Sequence, residues 1–194
     1  MKQIIYSLIA FTALIASGCR NTPGGQNAES SDENAITKVQ PNMIDESIPL
    51  GNIEEVRQFL QDAGYYFLAT VDDTDPSGAE YAIPHARVRP FGTAEIFEGK
   101  LYIQTGKVKD VYKQIVANPN AEICAVGKDG TTWIRIAGQL VPDERVEAKQ
   151  YMLDQNPGLK QMYSATDDNT IVLYFQNAVA TFSSFTAEPR TVRF

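Results

Sequence analysis

From residue 65 onward the chain is a series of short apolar runs, each closed by a tight turn signal. That spacing restricts the fold more than any other feature. Residues 65–71 form one run, ended by the polar stretch 72–78. Runs at 79–89 and 94–97 follow, and Glu98-Gly99-Lys100 makes a hairpin into 101–105. Lys128-Asp129-Gly130 joins 121–126 to 131–140 in the same way, and 171–175 and 178–185 close the series. Runs of this length bounded by Gly, Asn and Asp read as strands, and turns this short join antiparallel neighbours. Three segments carry apolar residues at helical spacing instead. In the first, Asn52 and Glu55 form a capping box ahead of Ile53, Val56, Phe59, Leu60 and Ala63, and Gly64 stops the helix. In the second, Val108, Val111, Tyr112, Ile115 and Val116 share one face up to Asn118-Pro119-Asn120. The third is capped by Asp143, runs to about Gln155 and breaks at Pro157-Gly158. Roughly seven or eight strands with three short helices predict a mainly β (α+β) domain, a closed or nearly closed antiparallel barrel with helices at its ends.

The predicted domain spans residues 50–194, and what precedes it is of another kind. Met1-Lys2 is followed by an apolar stretch, Ile4 to Ile15, and by the small residues Ala16-Ser17-Gly18, the pattern of an export signal over residues 1–18. The stretch is too short to span a bilayer as a permanent helix. Cys19 comes directly after it, so the junction resembles the lipobox of bacterial lipoproteins, with Ala16 where Leu is more usual. Cys19 would then be the lipidated N-terminus, and several acyl chains anchor firmly where one does not. Residues 19–49 hold Pro23, Gly24, Gly25, Ser30 and Ser31 and little apolar surface, which predicts a flexible tether. Arg20 is not the Asp that favours retention in the inner membrane of enterobacteria, so the outer membrane is expected, with the domain in the periplasm or outside.

Net charge is −7 at pH 7, which argues against nucleic acid as a partner, because phosphate-backbone binding needs a basic face. Against that balance two cationic clusters stand out. Arg87-Val88-Arg89-Pro90-Phe91-Gly92 closes one strand, with Arg87 and Arg89 on the same face by the period of two. Thr105-Gly106-Lys107-Val108-Lys109 closes the next and opens the second helix. A helix N-terminus suits an anion, and Lys there is unfavourable for the helix alone. An anionic small ligand, a phosphate above all, resolves that conflict. The plainer alternative is solvated rim charges paired with Asp110, Glu95 or Glu98.

The order and spacing of these segments resemble the pyridoxamine 5′-phosphate oxidase-related flavin-binding proteins. The likeness runs from Pro84-His85-Ala86-Arg87-Val88-Arg89-Pro90-Phe91-Gly92 through residues 101–114, Asn118-Pro119-Asn120-Ala121-Glu122 and Thr132-Trp133-Ile134-Arg135-Ile136-Ala137-Gly138 to residues 183–190. It implies a split antiparallel β-barrel of the FMN-binding type, a homodimer with FMN at the subunit interface. By position, Arg87 and Lys109 would hold the phosphate with Lys107 and Thr105 helping. Backbone groups of Val88, Arg89 and Pro90 would line the isoalloxazine edge, and Trp133 would come from the partner subunit or dimer face. True pyridoxamine phosphate oxidases carry an Arg-x-His motif near the C-terminus, where this chain has Arg190-Thr191-Val192-Arg193-Phe194, so vitamin B6 oxidation is not expected.

The remaining candidates have plain readings. His85 is the sole histidine; it could sit by a flavin or ligate haem iron, and a packed strand histidine is the simpler expectation. With Cys19 lipidated, Cys124 is left alone in an apolar run and reads as a small buried hydrophobe, so no disulfide forms within the chain. The acidic runs Asp72, Asp73, Asp75 and Asp167-Asp168 read as solvated turns, without calcium-loop spacing. A zinc site is not expected, and neither a Ser-His-Asp set nor a phosphate-binding P-loop is evident. The resulting expectation is an envelope-tethered FMN-dependent oxidoreductase whose substrate and electron donor are not legible, with His85, Tyr112 and Arg190 as side chains to test. The alternatives are a non-catalytic flavin or haem carrier, or a dimeric structural lipoprotein that has lost its cofactor.

Overall fold

The structure, a computed structural model, describes residues 46–73 and 84–194. The expected export signal, Cys19, nearly all of the tether, Asp75 and the first half of the 79–89 strand lie outside the described residues. Among the described residues no helix is long and apolar enough to cross a membrane.

Helix α1 (Ile53–Ala63) opens the fold and buries Val56 and Leu60. Its cap is simpler than a capping box. Asn52 Oδ1 accepts from the Glu54 amide at 3.0 Å, while the Glu55 carboxylate is taken up by Arg190. Gly64 ends the helix at φ 81°, a conformation open to glycine at little cost. Strands β1 (Tyr66–Asp72), β2 (His85–Phe91), β3 (Glu95–Phe97) and β4 (Lys100–Gly106) follow. The β3–β4 hairpin turns through Glu98 and Gly99, both at positive φ, the two-residue connection that matches strand twist. Helix α2 (Asp110–Ala117) starts later than its apolar periodicity implies. Val111 and Ile115 are buried, whereas Val108 precedes the helix and is exposed.

Strands β5 (Asn120–Val126) and β6 (Thr132–Asp143) form the second hairpin. Asp143 is not the cap of helix α3 (Val146–Gln155) but the last residue of β6. Its carboxylate accepts from the Arg145 amide and guanidinium and from Tyr102 Oη. Burial pushes that carboxyl up, but those bonds outweigh it and leave Asp143 below the usual carboxylate range. A 3₁₀ turn (Pro157–Gln161) follows. The two final strands expected from the sequence are one continuous strand, β7 (Thr170–Ser184). The Gln176-Asn177 interruption is a bulge: register against β6 shifts between Ala137 and Gln139, and Asn177 takes φ 54°. Opposite it a Cβ on Gly138 would lie 3.1 Å from Ala178 Cα, so a side chain there would force the bulge to give by a few tenths of an ångström. Strand β8 (Arg190–Arg193), unpredicted, pairs with β7.

The eight strands make one antiparallel sheet in the order β2-β1-β5-β6-β7-β4-β3, with β8 beside β7. It is curved around a core but not closed; the ends of β2 and β4 face each other across the split. One core cluster joins α1 (Val56, Leu60) and α2 (Val111, Ile115) to Leu68, Leu101, Ile103, Ile123, Ile134 and Ile136. A smaller one joins Tyr102 and Val172 to Ala148 and Met152 of α3. Strand β4 therefore has both faces covered, and Leu101 to Gly106 are all buried.

Candidate cofactor site

Two adjoining cavities occupy the split. The first, about 520 Å³, lies between the end of β2 (Arg89, Pro90, Phe91, then Gly92 and Thr93) and the end of β4 (Gln104, Thr105). The segment after α3, with Pro157, Leu159, Met162 and Tyr163, forms its outer wall. The second, about 650 Å³, is lined by Asp72, Arg87, Arg89, Lys109, Asp110, Val111, Lys113 and Gln114. Arg89, Lys109 and Val111 belong to both. An apolar slot thus opens directly onto a cationic one.

The cations are held by a buried polar network. Thr70 lies in β1 between Leu68 and Asp72, and antiparallel register sets it opposite Arg87, with Leu68 opposite Arg89. Arg89 Nη1 donates to Thr70 Oγ1 at 2.6 Å and Nη2 to Gln114 Oε1 at 2.7 Å, and Thr70 Oγ1 donates to the same Gln114 oxygen at 2.7 Å. Arg87 Nε donates to Asp72 Oδ2 at 3.1 Å. Asp72 is 8 % exposed, so it is an internal counter-charge and not the solvated turn its sequence context implied. Burial lowers the pKa of Arg89, the neighbouring Arg87 charge acts the same way, and Asp72 opposes both. Lys113 pairs with Asp110 at 3.0 Å. Lys109 stands at the α2 N-cap over the Tyr163 ring, 5.7 Å away, and forms no ion pair among the described residues. Among the described residues four cations therefore face two carboxylates in the second cavity, a charge balance that favours an anion there.

The sequence-predicted residues divide. Arg87, Arg89, Pro90, Thr105 and Lys109 line the cavities, while Val88, expected to contribute backbone groups, lines neither and is 63 % exposed. Lys107 does not join them, since its ammonium pairs with Glu144 at 2.6 Å, which raises its pKa, and it lines neither cavity. Trp133 packs on Phe185 at the far end of the β5–β6 hairpin. His85 is exposed at the start of β2, and Arg190 is engaged by Glu55 and the Phe182 ring. Neither they nor Tyr112 lines either of these two cavities. Cys124 is half-buried, opposite Phe67 and Arg135 in the sheet. The amides of Lys107, Val108 and Lys109 are already bonded to Asn169 and Gly106, so the loop before α2 offers side-chain charge more than free N–H groups. Among the described residues no three His, Cys, Asp or Glu side chains converge as metal ligands.

Gln104, Thr70, Gln114 and the wall at 157–163 were not singled out from sequence. Gln104 had a readable signal, an amide directly after the apolar run Leu101-Tyr102-Ile103. The side-chain nitrogen and oxygen of Gln104 and the hydroxyl of Thr105 are buried without a hydrogen-bond partner among the described residues.

Residues 53–194 match the sequence model of the family described as pyridoxamine 5′-phosphate oxidase. The chain belongs to the pyridoxamine 5′-phosphate oxidase family. A solved NimC/NimA family protein from Clostridium acetobutylicum is 38% identical over 73% of this chain and 91% of its own, with a TM-score of 0.65. At that identity and coverage the two chains are members of one family. General Stress Protein 26 from Bacillus anthracis str. Sterne (18% identity, 73% and 97% covered, TM-score 0.53) shares the fold. So does a heme binding protein from Mycobacterium smegmatis (15% identity, 72% and 57% covered, TM-score 0.51). A comparison with curated proteins gives no match. The open, mostly antiparallel sheet with three short helices is the split barrel of the pyridoxamine 5′-phosphate oxidase family.

Proposed function

We propose that the chain binds FMN in the split of its barrel and works as a flavin-dependent oxidoreductase tethered to the bacterial envelope. The observation that carries this reading is the junction of an apolar cavity with a cationic one through Arg89 and Lys109. A flavin mononucleotide needs that combination, a slot for a flat ring and a charged end for a phosphate. Members of the family bind FMN, and the residues present fit it. Arg87 and Lys109 would hold the phosphate, and the apolar cavity, which Thr105 lines, the ring. When bound, FMN supplies the capacity to accept and donate electrons. The chain's own residues bind and orient: Thr70 and Gln114 fix the Arg89 guanidinium, and Leu159, Met162 and Tyr163 limit water access.

The test is the spectrum of the purified full-length chain and its titration with FMN. Flavin absorption, or uptake of added FMN, is expected. A colourless chain that takes up none contradicts the reading, and a Soret band in place of flavin absorption would make it a haem carrier instead. Haem has less support, because neither cavity is lined by His or Cys.

Two further parts belong to the proposal. The motif Ala16-Ser17-Gly18-Cys19 supports lipidation at Cys19, with residues 20–49 as the spacer. Proteins of this family commonly form dimers, and Phe67 of β1, Val88 of β2 and Tyr65 just before β1 are exposed. Exposed apolar groups of this kind are what a second copy would cover.

A further inference from the structure

We infer that Asn169 is a positioning residue for Lys109: the turn before β7 grips the loop before α2 and so fixes where the Lys109 ammonium stands at the cationic cavity. The inference rests on the FMN reading above and deepens it. It names a residue that controls the phosphate end while lining neither cavity.

Lys109 lacks the supports that hold the other cations of that cavity. Asp72 takes Arg87, Thr70 and Gln114 take Arg89, and Asp110 takes Lys113. Lys109 pairs with no carboxylate among the described residues, and as the N-cap of α2 it puts no side-chain hydrogen bond into the helix. Its long stem loses rotamer freedom when the ammonium is held in one place, so the position of its backbone decides how much of the charge reaches a ligand. Lys107, the other lysine of the loop, is taken by Glu144, and it is Lys109 that lines the cavity.

Contacts from residues 163–169 supply the placement. The Lys107 amide donates to the Asn169 carbonyl at 2.7 Å, and the Val108 amide donates to Asn169 Oδ1 at 3.1 Å, from a residue 61 positions away in the chain. The Tyr163 ring stands under Lys109 Nζ. Asp167 ties this turn together: Oδ2 accepts from the Ser164 amide at 2.9 Å, and Oδ1 accepts from the Asn169 amide at 3.0 Å and from the Thr170 amide. An aspartate that takes the amides after it fixes the path of a turn. One half of the acidic pair Asp167-Asp168 therefore organises the element that presents Asn169. A Cβ on Gly106 would stand 2.9 Å from Asn169 Oδ1, so glycine at that position leaves the carboxamide room to reach Val108. An asparagine that merely supported the fold would serve the ring slot and the phosphate end alike. Asn169 acts on the loop of one cation, so its loss should separate FMN from riboflavin, which share the ring and differ by the phosphate.

The experiment titrates the full-length chain with FMN and with riboflavin, following flavin fluorescence, for the wild type, Asn169→Ala, Lys109→Ala and the double variant. Asn169→Ala is expected to weaken FMN about fivefold, less than the roughly tenfold of Lys109→Ala, and to leave riboflavin within about twofold. On the Lys109→Ala background the same substitution should change the FMN-to-riboflavin ratio by less than about twofold, because the group it positions is gone. Gly106→Ala pushes the same carboxamide aside with Asn169 in place and should lower the ratio in the same direction, which carries the test where Asn169→Ala does not fold. Equal losses for the two flavins, an unchanged ratio in the single variants, or a fivefold loss that persists on the Lys109→Ala background overturns the assignment. A wild type that binds neither flavin overturns the FMN reading itself, which is a different failure.

Discussion

Replacing Thr70 by Val keeps the shape of a β-branched side chain and removes one oxygen on which two bonds depend. Thr70 is 2 % exposed, and its hydroxyl accepts from Arg89 Nη1 at 2.6 Å while donating to Gln114 Oε1 at 2.7 Å. A hydrogen bond to a charged group is worth about 1.5–3 kcal/mol and a neutral one about 0.5–1.5 kcal/mol. Arg89 is partly exposed, so water screens part of the first. The added methyl returns about 0.8 kcal/mol. The net loss is about 2 kcal/mol, which in a chain of this size lowers Tm by about 4–8 °C. Urea unfolding followed by circular dichroism reads this as a lower midpoint at unchanged slope. The guanidinium, then held by Gln114 and a 3.4 Å contact to the Leu68 carbonyl, no longer sits in one place, so FMN affinity falls as well. A stability change below about 0.5 kcal/mol, the level of an ordinary surface substitution, would refute the view that this network holds Arg89.

Other outcomes follow from the same geometry. Lys107→Ala should leave FMN affinity within about twofold, because Glu144 holds that ammonium, whereas Lys109→Ala should weaken it about tenfold by fluorescence titration. The Asp167 carboxyl is lowered to about 2, chiefly by the Thr170 amide, with those of Ser164 and Asn169 adding to it against some burial. Its contribution is complete above the ordinary value of 3.8 and lost as pH falls toward 2, so Asp167→Asn should be less stable than wild type at pH 7 and the gap should narrow below pH 4 in denaturant unfolding. Val88→Asp places a charge on the exposed face of β2 and should convert a dimer to monomer in sedimentation velocity. Cys19→Ala should move the chain from the membrane to the soluble fraction on cell fractionation.

Much of the fold was legible because its signals are local. Asn52 and Gly64 bracket α1, and Glu98-Gly99 can make only a tight hairpin. The features missed depend on which strands become neighbours, which a period of two does not reveal. Asp72 read as part of a solvated acidic turn because nothing local shows that β2 returns beside it with Arg87. Lys107 and Lys109 look equivalent in sequence, yet the end of β6 brings Glu144 to one and leaves the other over Tyr163. Gln176-Asn177 resembles a loop, and only pairing with the Ala137–Gln139 irregularity makes it a bulge. The cationic half of the site was therefore visible in the chain, while the wall at 157–163 and the orphaned amide of Gln104 emerged from tertiary placement.

If Arg87 and Lys109 hold a phosphate beside a slot for a flavin ring, the affinity ratio of FMN to riboflavin reports it. The two ligands share the ring and differ by the phosphate. The wild type should bind FMN at least about a hundredfold more tightly, and Arg87→Ala combined with Lys109→Ala should reduce that ratio to near unity while riboflavin binding changes little. Equal wild-type affinities, or a ratio that survives the double substitution, would contradict it.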